Sequence, residues 1–336
     1  MEHGSGPGLQ RPACEHDLQG IHEIAVAAWR PIFARYRLIV GEAMWQDLWG
    51  TWEQGWFVPS RERLDGNTLV TEVDGRVVGF AGWYYPGAQL AEVGGNAVDP
   101  AFQGRGIGTA QVRAVVARCR REGYPFARVH TGLDPAHGAA RAQYRGAGLR
   151  LGVTRSDYYN YLDETARAPA RTDLTFRWAG QADADAVREL LEHGWGEAQP
   201  PARRVLGDAL FAAAFEAPAR RRIDEIVELA AAAPPQVRLV VHEGRLVASA
   251  VVSPEDPQHP GAGLGTVESL AVHPARRDQG VGCALCADVV SHFRQRGLRY
   301  VRLRSPSGGV TERVRRLAWN AGLHRELPSI DYYMHL

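Results

Sequence analysis

Gln103-Gly104-Arg105-Gly106-Ile107-Gly108-Thr109 follows an apolar run that ends at Val98. The chain answers it later with Arg277-Asp278-Gln279-Gly280-Val281-Gly282-Cys283, behind a run that ends at Val272. Each stretch reads as a strand, a glycine turn and the start of a helix. Glycine lets a backbone approach an anion closely. The helix that follows offers unpaired N–H groups and the positive end of its dipole. Such a turn can hold a diphosphate through main-chain amides. It must do so without lysine, because all 39 basic residues are Arg. That absence excludes a Walker-type phosphate loop and a pyridoxal phosphate enzyme, both of which need a Lys. A Rossmann GxGxxG is also a poor match, since Gln111 and Leu285 stand where its third glycine belongs.

The two stretches belong to a longer repeat. Val98-Asp99-Pro100 matches Val272-His273-Pro274 at a spacing of 272 less 98, or 174 residues. The same spacing carries Gly106, Gly108, Gly123 and Gly148 onto Gly280, Gly282, Gly297 and Gly322. It also carries Asp157-Tyr158-Tyr159 onto Asp331-Tyr332-Tyr333 without a gap. Upstream, Asp74-Gly75-Arg76 matches Glu243-Gly244-Arg245 at a shorter spacing, so the second copy holds an insertion that includes Pro254, Pro257 and Pro260. Arg11 with Asp17 resembles Arg177 with Asp183. The halves meet near Asp163 to Arg171, which predicts domains over 1–165 and 172–336.

The local signals have the same order in each half. In the first, Asp74-Gly75 predicts a hairpin between Leu69–Val73 and Arg76–Tyr84. Leu90–Val98 and Phe126–Thr131 read as strands, and 108–121 and 136–146 as helices. Leu149–Leu162 reads as a final hairpin or paired strands. The fold class is α/β (α+β), with two tandem domains, each a mixed twisted sheet flanked by helices.

Both turns resemble the acetyl-CoA motif of the GNAT acyltransferases, Q/R-x-x-G-x-G/A. Gln103, Gly106 and Gly108 carry it in the first copy, and Arg277, Gly280 and Gly282 in the second. The resemblance covers most of the chain, from about Leu9 onward. It implies acetyl-CoA as acyl donor, with no metal. It implies a small-molecule or peptide primary amine as acceptor, attacking the thioester directly. Cofactor contacts are then expected at Ala97, Val98, Gln103, Gly104, Arg105, Gly106, Ile107, Gly108 and Thr109. In the second copy they are expected at Val272, Arg277, Gly280, Val281, Gly282 and Cys283. Asp278 sets a carboxylate beside that second cradle, with Arg276 and Arg277 as neighbours to offset it.

The family's general acid is a Tyr four residues before a glycine, which falls on Tyr144 here. Tyr144 also reads as a helix-packing aromatic. The second copy has Ala318 at that place, so the first half is the expected working site. Glu92, on the strand before the first loop, is a candidate base acting through water, or else a hydrogen-bonded surface carboxylate. Glu268 is its nearest counterpart. A silent acetyl-CoA-binding scaffold is the alternative from another class. The tandem architecture also resembles mycothiol synthase, which would place the working site in the second half.

Trp45, Trp49, Trp52 and Trp56 recur at helical spacing, as core packing or, with Trp29 and Tyr36, as part of an acceptor pocket. Cys283 and Cys286 form a CxxC. It reads as a redox or metal pair, or as two small residues on one helix face. A net charge of +1 gives no basic face for nucleic acid or membrane. The few scattered cysteines, the missing apolar span and the polar first residues predict a cytoplasmic protein. A monomer or a homodimer is expected, since the duplication can mimic a dimer within one chain.

Overall fold

The exchange of two terminal strands organises this fold. In the computed structural model, residues 8–54, 66–165, 171–196, 200–304 and 312–336 are described. The first repeat runs β1 (Leu9–Pro12), α1 (Leu18–Val40), α2 (Glu42–Trp49), β2 (Thr68–Val73), β3 (Arg76–Gly87) and β4 (Leu90–Val98). It continues with α3 (Ile107–Arg121), β5 (Phe126–Gly132), α4 (Gly138–Ala147) and β6 (Leu151–Tyr161). The second repeat runs β7 (Thr175–Trp178), α5 (Ala184–Gly196), α6 (Pro200–Leu206), α7 (Asp208–Phe211), α8 (Ala217–Ala230), β8 (Val237–His242) and β9 (Arg245–Ser253). It closes with β10 (Leu264–Val272), α9 (Val281–Gln295), β11 (Tyr300–Arg304), α10 (Glu312–Asn320) and β12 (Arg325–His335).

Two compact units form, and their limits differ from the expected 1–165 and 172–336. The first gathers 1–38, 49–153 and 329–336; the second gathers 39–48 and 154–328. In the first unit the strand order is β1-β2-β3-β4-β5-β12, and in the second it is β6-β11-β10-β9-β8-β7. Thus β12, the last strand of the second repeat, lies antiparallel to β5 of the first, from Ser329↔Gly132 to His335↔Phe126. In return, β6 lies antiparallel to β11, from Asp157↔Arg304 to Tyr161↔Tyr300. Within the stretch read as a final hairpin or paired strands, 149–162, there is therefore a single strand, Leu151–Tyr161, paired with β11.

In the first unit, α3 lays Val112, Val115, Val116 and Cys119 on one sheet face, against Ala81, Trp83, Ala91, Val93 and Val129. Burying each valine stabilises the unit by about 1.5–3 kcal/mol. On the other face α1 buries Ile21, Ile24 and Ala25 against Val70, Phe80 and Ala97. The second unit repeats the scheme. Leu285, Val289, Val290 and Phe293 of α9 cover one face. On the other, Val187, Leu190 and Leu191 of α5 pack with Ile223 and Ile226 of α8.

The duplication extends to side-chain contacts. Arg11 grips both oxygens of Asp17 at 2.7 and 2.8 Å, and Arg177 grips Asp183 at 2.7 and 2.6 Å. Hydrogen bonding from Arg11 holds the Asp17 carboxyl down to about 2. The tryptophan stripe does not lie on a single helix. α2 ends at Trp49, and Trp52 sits in a separate 3-10 turn stacked on Phe33 at 4.2 Å. Trp56 lies outside the described residues.

Candidate active site

The site begins where two parallel strands part. β4 pairs with β5 only from Leu90↔Phe126 to Val93↔Val129. Beyond that point β5 follows β12, and β4 follows β3. The cause is a β-bulge. Between the pairs Trp83↔Val93 and Ala81↔Asn96, β3 advances two residues while β4 advances three. The surplus falls on Gly94-Gly95, small residues that a bulge tolerates. Side-chain parity flips there. Ala91 and Val93 face α3 before the bulge. After it Val98 faces α3, and Ala97 faces α1. Ala97 and Val98 thus lie on the stretch of β4 that has left β5.

At this opening α4 places two polar side chains, Gln143 and Tyr144. Tyr144 is only 5% exposed, and its hydroxyl accepts a hydrogen bond from Asn96 Nδ2 at 2.9 Å. Gln143 Nε2 donates to Asn96 Oδ1 at 2.8 Å. Asn96 also donates to the Gly94 carbonyl at 3.1 Å. Burial raises the Tyr144 hydroxyl above its ordinary value, with the Asn96 bond opposing. The phenol therefore keeps its proton at neutral pH. Because its oxygen accepts from Asn96, that proton is left to be given elsewhere.

The loop between β4 and α3 is fastened at both ends. Asp99 accepts from Ala101 N at 2.9 Å and caps a 3-10 turn, Pro100–Phe102. Gln103 Nε2 donates to the Val98 carbonyl at 3.1 Å. Gly106, at φ 79, is the N-cap of α3 and brings no side chain to the first-turn amides. Ile107 is buried, whereas a Cβ added at Gly104 or Gly106 would meet nothing within 4 Å. Arg105 stacks over Phe102 at 4.8 Å. Gly108 leaves room for the amide above it, since a Cβ there would lie 2.4 Å from Gln143 Oε1. Thr109 is the next residue of α3.

The second loop has the same backbone and a different lining. Arg277 Nε donates to the Val272 carbonyl at 3.3 Å, as Gln103 does to Val98. Gly280, at φ 77, is the N-cap of α9, followed by buried Val281 and Gly282 and half-buried Cys283. But Asp278 stands where the first loop has Gly104, with φ 60, and Arg313 engages its carboxylate at 2.9 Å. Arg171 Nη1 donates to the Gln279 carbonyl at 2.9 Å, and a Cβ on Gly280 would lie 3.3 Å from that nitrogen. The polar trio is gone as well. At the repeat spacing Asn96, Gln143 and Tyr144 become Leu270, Leu317 and Ala318, which pack in the α9 core. Asn96 and Gln143 escaped notice in the sequence. The spacing that exposed Ala318 also exposes Leu270 and Leu317.

Glu92 sits just before the opening, buried, and its carboxylate accepts from Arg128 Nε at 2.5 Å. The second unit keeps the arginine and moves the carboxylate. Arg302 matches Arg128, Thr266 matches Glu92, and Asp256 comes in from the proline-rich insertion. Asp256 accepts from Arg302 and from Thr266 Oγ1. Burial alone would raise the Asp256 carboxyl. The His259 hydrogen bond and the Arg302 charge outweigh it and hold the group well below the usual range. Glu268 falls on the equivalent bulge and is paired with Arg304 at 3.0 Å.

On the α1 face, a Cβ on Gly95 would lie 3.7 Å from Trp29 Cη2, and Tyr36 lies against Trp49 and His137. A groove of 440 Å³ lined by His16, Asp17, Glu23, Arg76 and Asp99 runs beside α1 and includes none of Asn96, Gln143 and Tyr144. Burial pushes the Cys286 thiol up to about 12, which makes it unreactive. Among the described residues, no group of three or more His, Cys, Asp or Glu could hold a metal ion. Among them, too, no helix is long and apolar enough to cross a membrane.

The model of the Acetyltransferase (GNAT) family matches residues 22–148 and again 201–313. Among solved structures, a GCN5-related N-acetyltransferase from Sphaerobacter thermophilus is 19% identical. The match covers 97% of this chain and 95% of that one, at a TM-score of 0.58. A GCN5-related glucosamine N-acetyltransferase region of a fungal multi-domain GH3 beta-N-acetylglucosaminidase is 14% identical. There the match covers 96% of this chain and 38% of that one, at 0.56. At these identities the likeness is one of fold. No curated protein matches the chain.

Proposed function

The chain belongs to the GNAT acetyltransferase family, and from that premise we propose that its first repeat moves an acetyl group from acetyl-CoA to a primary amine of a small molecule or peptide by direct attack. The observation that carries this reading is the polar trio Asn96, Gln143 and Tyr144 at the β4–β5 opening, with Leu270, Leu317 and Ala318 in its place in the second repeat.

The donor fits the first loop. The first turn of α3 has no side-chain cap, a Cβ at Gly104 or Gly106 would meet nothing within 4 Å, and the loop brings no carboxylate to the Gly104 position. Main-chain N–H groups from Gly104 to Gly108 receive the diphosphate there, and Gln103 fixes the loop through Val98. Backbone amides of Ala97 and Val98 receive the thioester oxygen. One such donor is worth about 3–4 kcal/mol of barrier. Tyr144 gives its proton to the departing sulfur. Asn96 orients the phenol, and Gln143 orients Asn96. Glu92 serves as the counter-charge of Arg128. The second loop, with Asp278 and Arg171 at its cradle, serves as scaffold, so Arg277, Gly280, Val281, Gly282 and Cys283 bind the donor weakly or not at all.

The test is acetyl-CoA turnover against a panel of primary amines, for wild type and Tyr144→Phe. The reading expects thiol release with wild type and a large loss of rate in the variant. Binding of acetyl-CoA without turnover of any amine would leave only a silent binding protein.

A further inference from the structure

On the reading above, on which this inference rests, an acceptor ammonium must lose a proton before it can attack. Tyr144 serves the other end of the reaction, and Glu92 is engaged by Arg128. We infer that His130, held by Asp331, is the base that takes this proton, so that the last strand of the chain completes the site of the first repeat.

His130 is the first residue of β5 beyond the final β4–β5 pair, Val93↔Val129, so it stands at the edge of the opening. Along β5, Val129 is buried against α3. Period-2 alternation turns Arg128 and His130 to the opposite face, the one on which α1 lies. Tyr144 and the α3 cradle thus lie on one side of the gap and His130 on the other. A donor held on the first side and an amine arriving on the second meet between β4 and β5.

The imidazole is 41% exposed, and its Nδ1 lies 2.7 Å from Asp331 Oδ1, whose carboxylate is buried. With Asp331 ionised, the imidazole donates through Nδ1, and Nε2 carries the lone pair that accepts a proton. Asp331 comes from β12, directly opposite His130 in register.

The second unit keeps the carboxylate, on β6, and lacks the base. His130 becomes Arg304, and Asp331 becomes Asp157, again register partners. An arginine cannot accept a proton at neutral pH. The pattern matches the loss of Tyr144 to Ala318, so acid and base vanish from the same repeat.

The ammonium gives one proton to His130 Nε2, and the freed amine forms the N–C bond to the acetyl carbon. The C–S bond breaks as the sulfur receives a proton from Tyr144, and the second proton, shed by the nitrogen, passes through solvent to the Tyr144 phenolate and restores it. The products are the amide, the free thiol and a protonated His130 that releases its proton to solvent.

The experiment compares wild type, His130→Gln, Asp331→Asn and Glu92→Gln. It measures kcat and KM against pH with the best amine of the panel, and acetyl-CoA affinity by calorimetry. Asp331, the partner of His130, also shares an electrostatic cluster with Arg128, Glu92, Tyr84 and Tyr333. Single-residue variants are therefore needed to assign the acid limb of the profile. His130→Gln is expected to lower kcat by about 10²–10⁴-fold and to abolish that limb, with acetyl-CoA affinity unchanged. Asp331→Asn is expected to lower kcat by about 10–100-fold, with KM for acetyl-CoA held. A His130→Gln enzyme with full rate and an intact limb would overturn the inference alone, as would loss of the limb in Glu92→Gln only. A wild type that binds acetyl-CoA and acetylates nothing overturns the proposed function and this inference with it.

Discussion

Tyr144 and Ala318 hold the same place in the two repeats, and in the proposed function the first acts through a phenol that the second lacks. Tyr144→Phe keeps the ring in its buried slot. Its kcat is expected to fall by about 10²–10⁴-fold, while calorimetric affinity for acetyl-CoA stays level. Asp256 belongs to a different balance. Its folded carboxyl sits below the ordinary 3.8 because His259 and Arg302 outweigh burial. A depressed carboxyl contributes stability that is present above 3.8 and fades as pH falls toward the folded value. Thermal unfolding between about pH 5 and pH 2 is therefore expected to show a steeper loss for wild type than for Asp256→Asn. Equal slopes would remove Asp256 from the account. At this scale the sequence singled out Tyr144 as a candidate, because its spacing to Gly148 is local. It did not show that Glu92 would be taken up by Arg128, since that pairing depends on the β4–β5 register.

The loop between β4 and α3 reads well from sequence for a physical reason: its strand, turn and helix are built from neighbours. β4 and α3 lie where the pattern put them, and Gln103 with Arg277 fastens each loop to the strand before it. What the pattern left out was the bulge. Gly94-Gly95 looks like weak strand until register with β3 shows that β4 carries one residue too many. That surplus opens the sheet and turns Asn96 toward Tyr144. The matched substitutions Gly106→Val and Gly280→Val test the two loops as elements. Each forces a branched side chain into the left-handed region, at about 1–3 kcal/mol of strain. The first is expected to weaken acetyl-CoA binding tenfold or more by calorimetry, and the second to leave it unchanged. Equal losses would give both loops the same role.

The molecule as a whole is a duplication in which each unit borrows its last strand from the other repeat. The repeat itself was legible from spacing. The exchange was not, because β6 and β12 both carry Asp-Tyr-Tyr, at 157–159 and 331–333, in the same hydrophobic pattern. Nothing local distinguishes a strand that closes its own sheet from one that closes its neighbour's. The consequence is testable at the chain terminus. Removal of 329–336 takes away the antiparallel partner of β5, together with Asp331. The shortened chain is expected to lose the thermal shift that acetyl-CoA gives the full chain. A full shift after truncation would mean that the first unit closes without β12. In the proposed function the first glycine loop holds the donor, and the second is its unused copy. Amide hydrogen exchange with and without acetyl-CoA reads both loops in one measurement. Slower exchange at 103–109 with no change at 277–283 is the predicted outcome. Protection of 277–283 alone, or of neither loop, would contradict it.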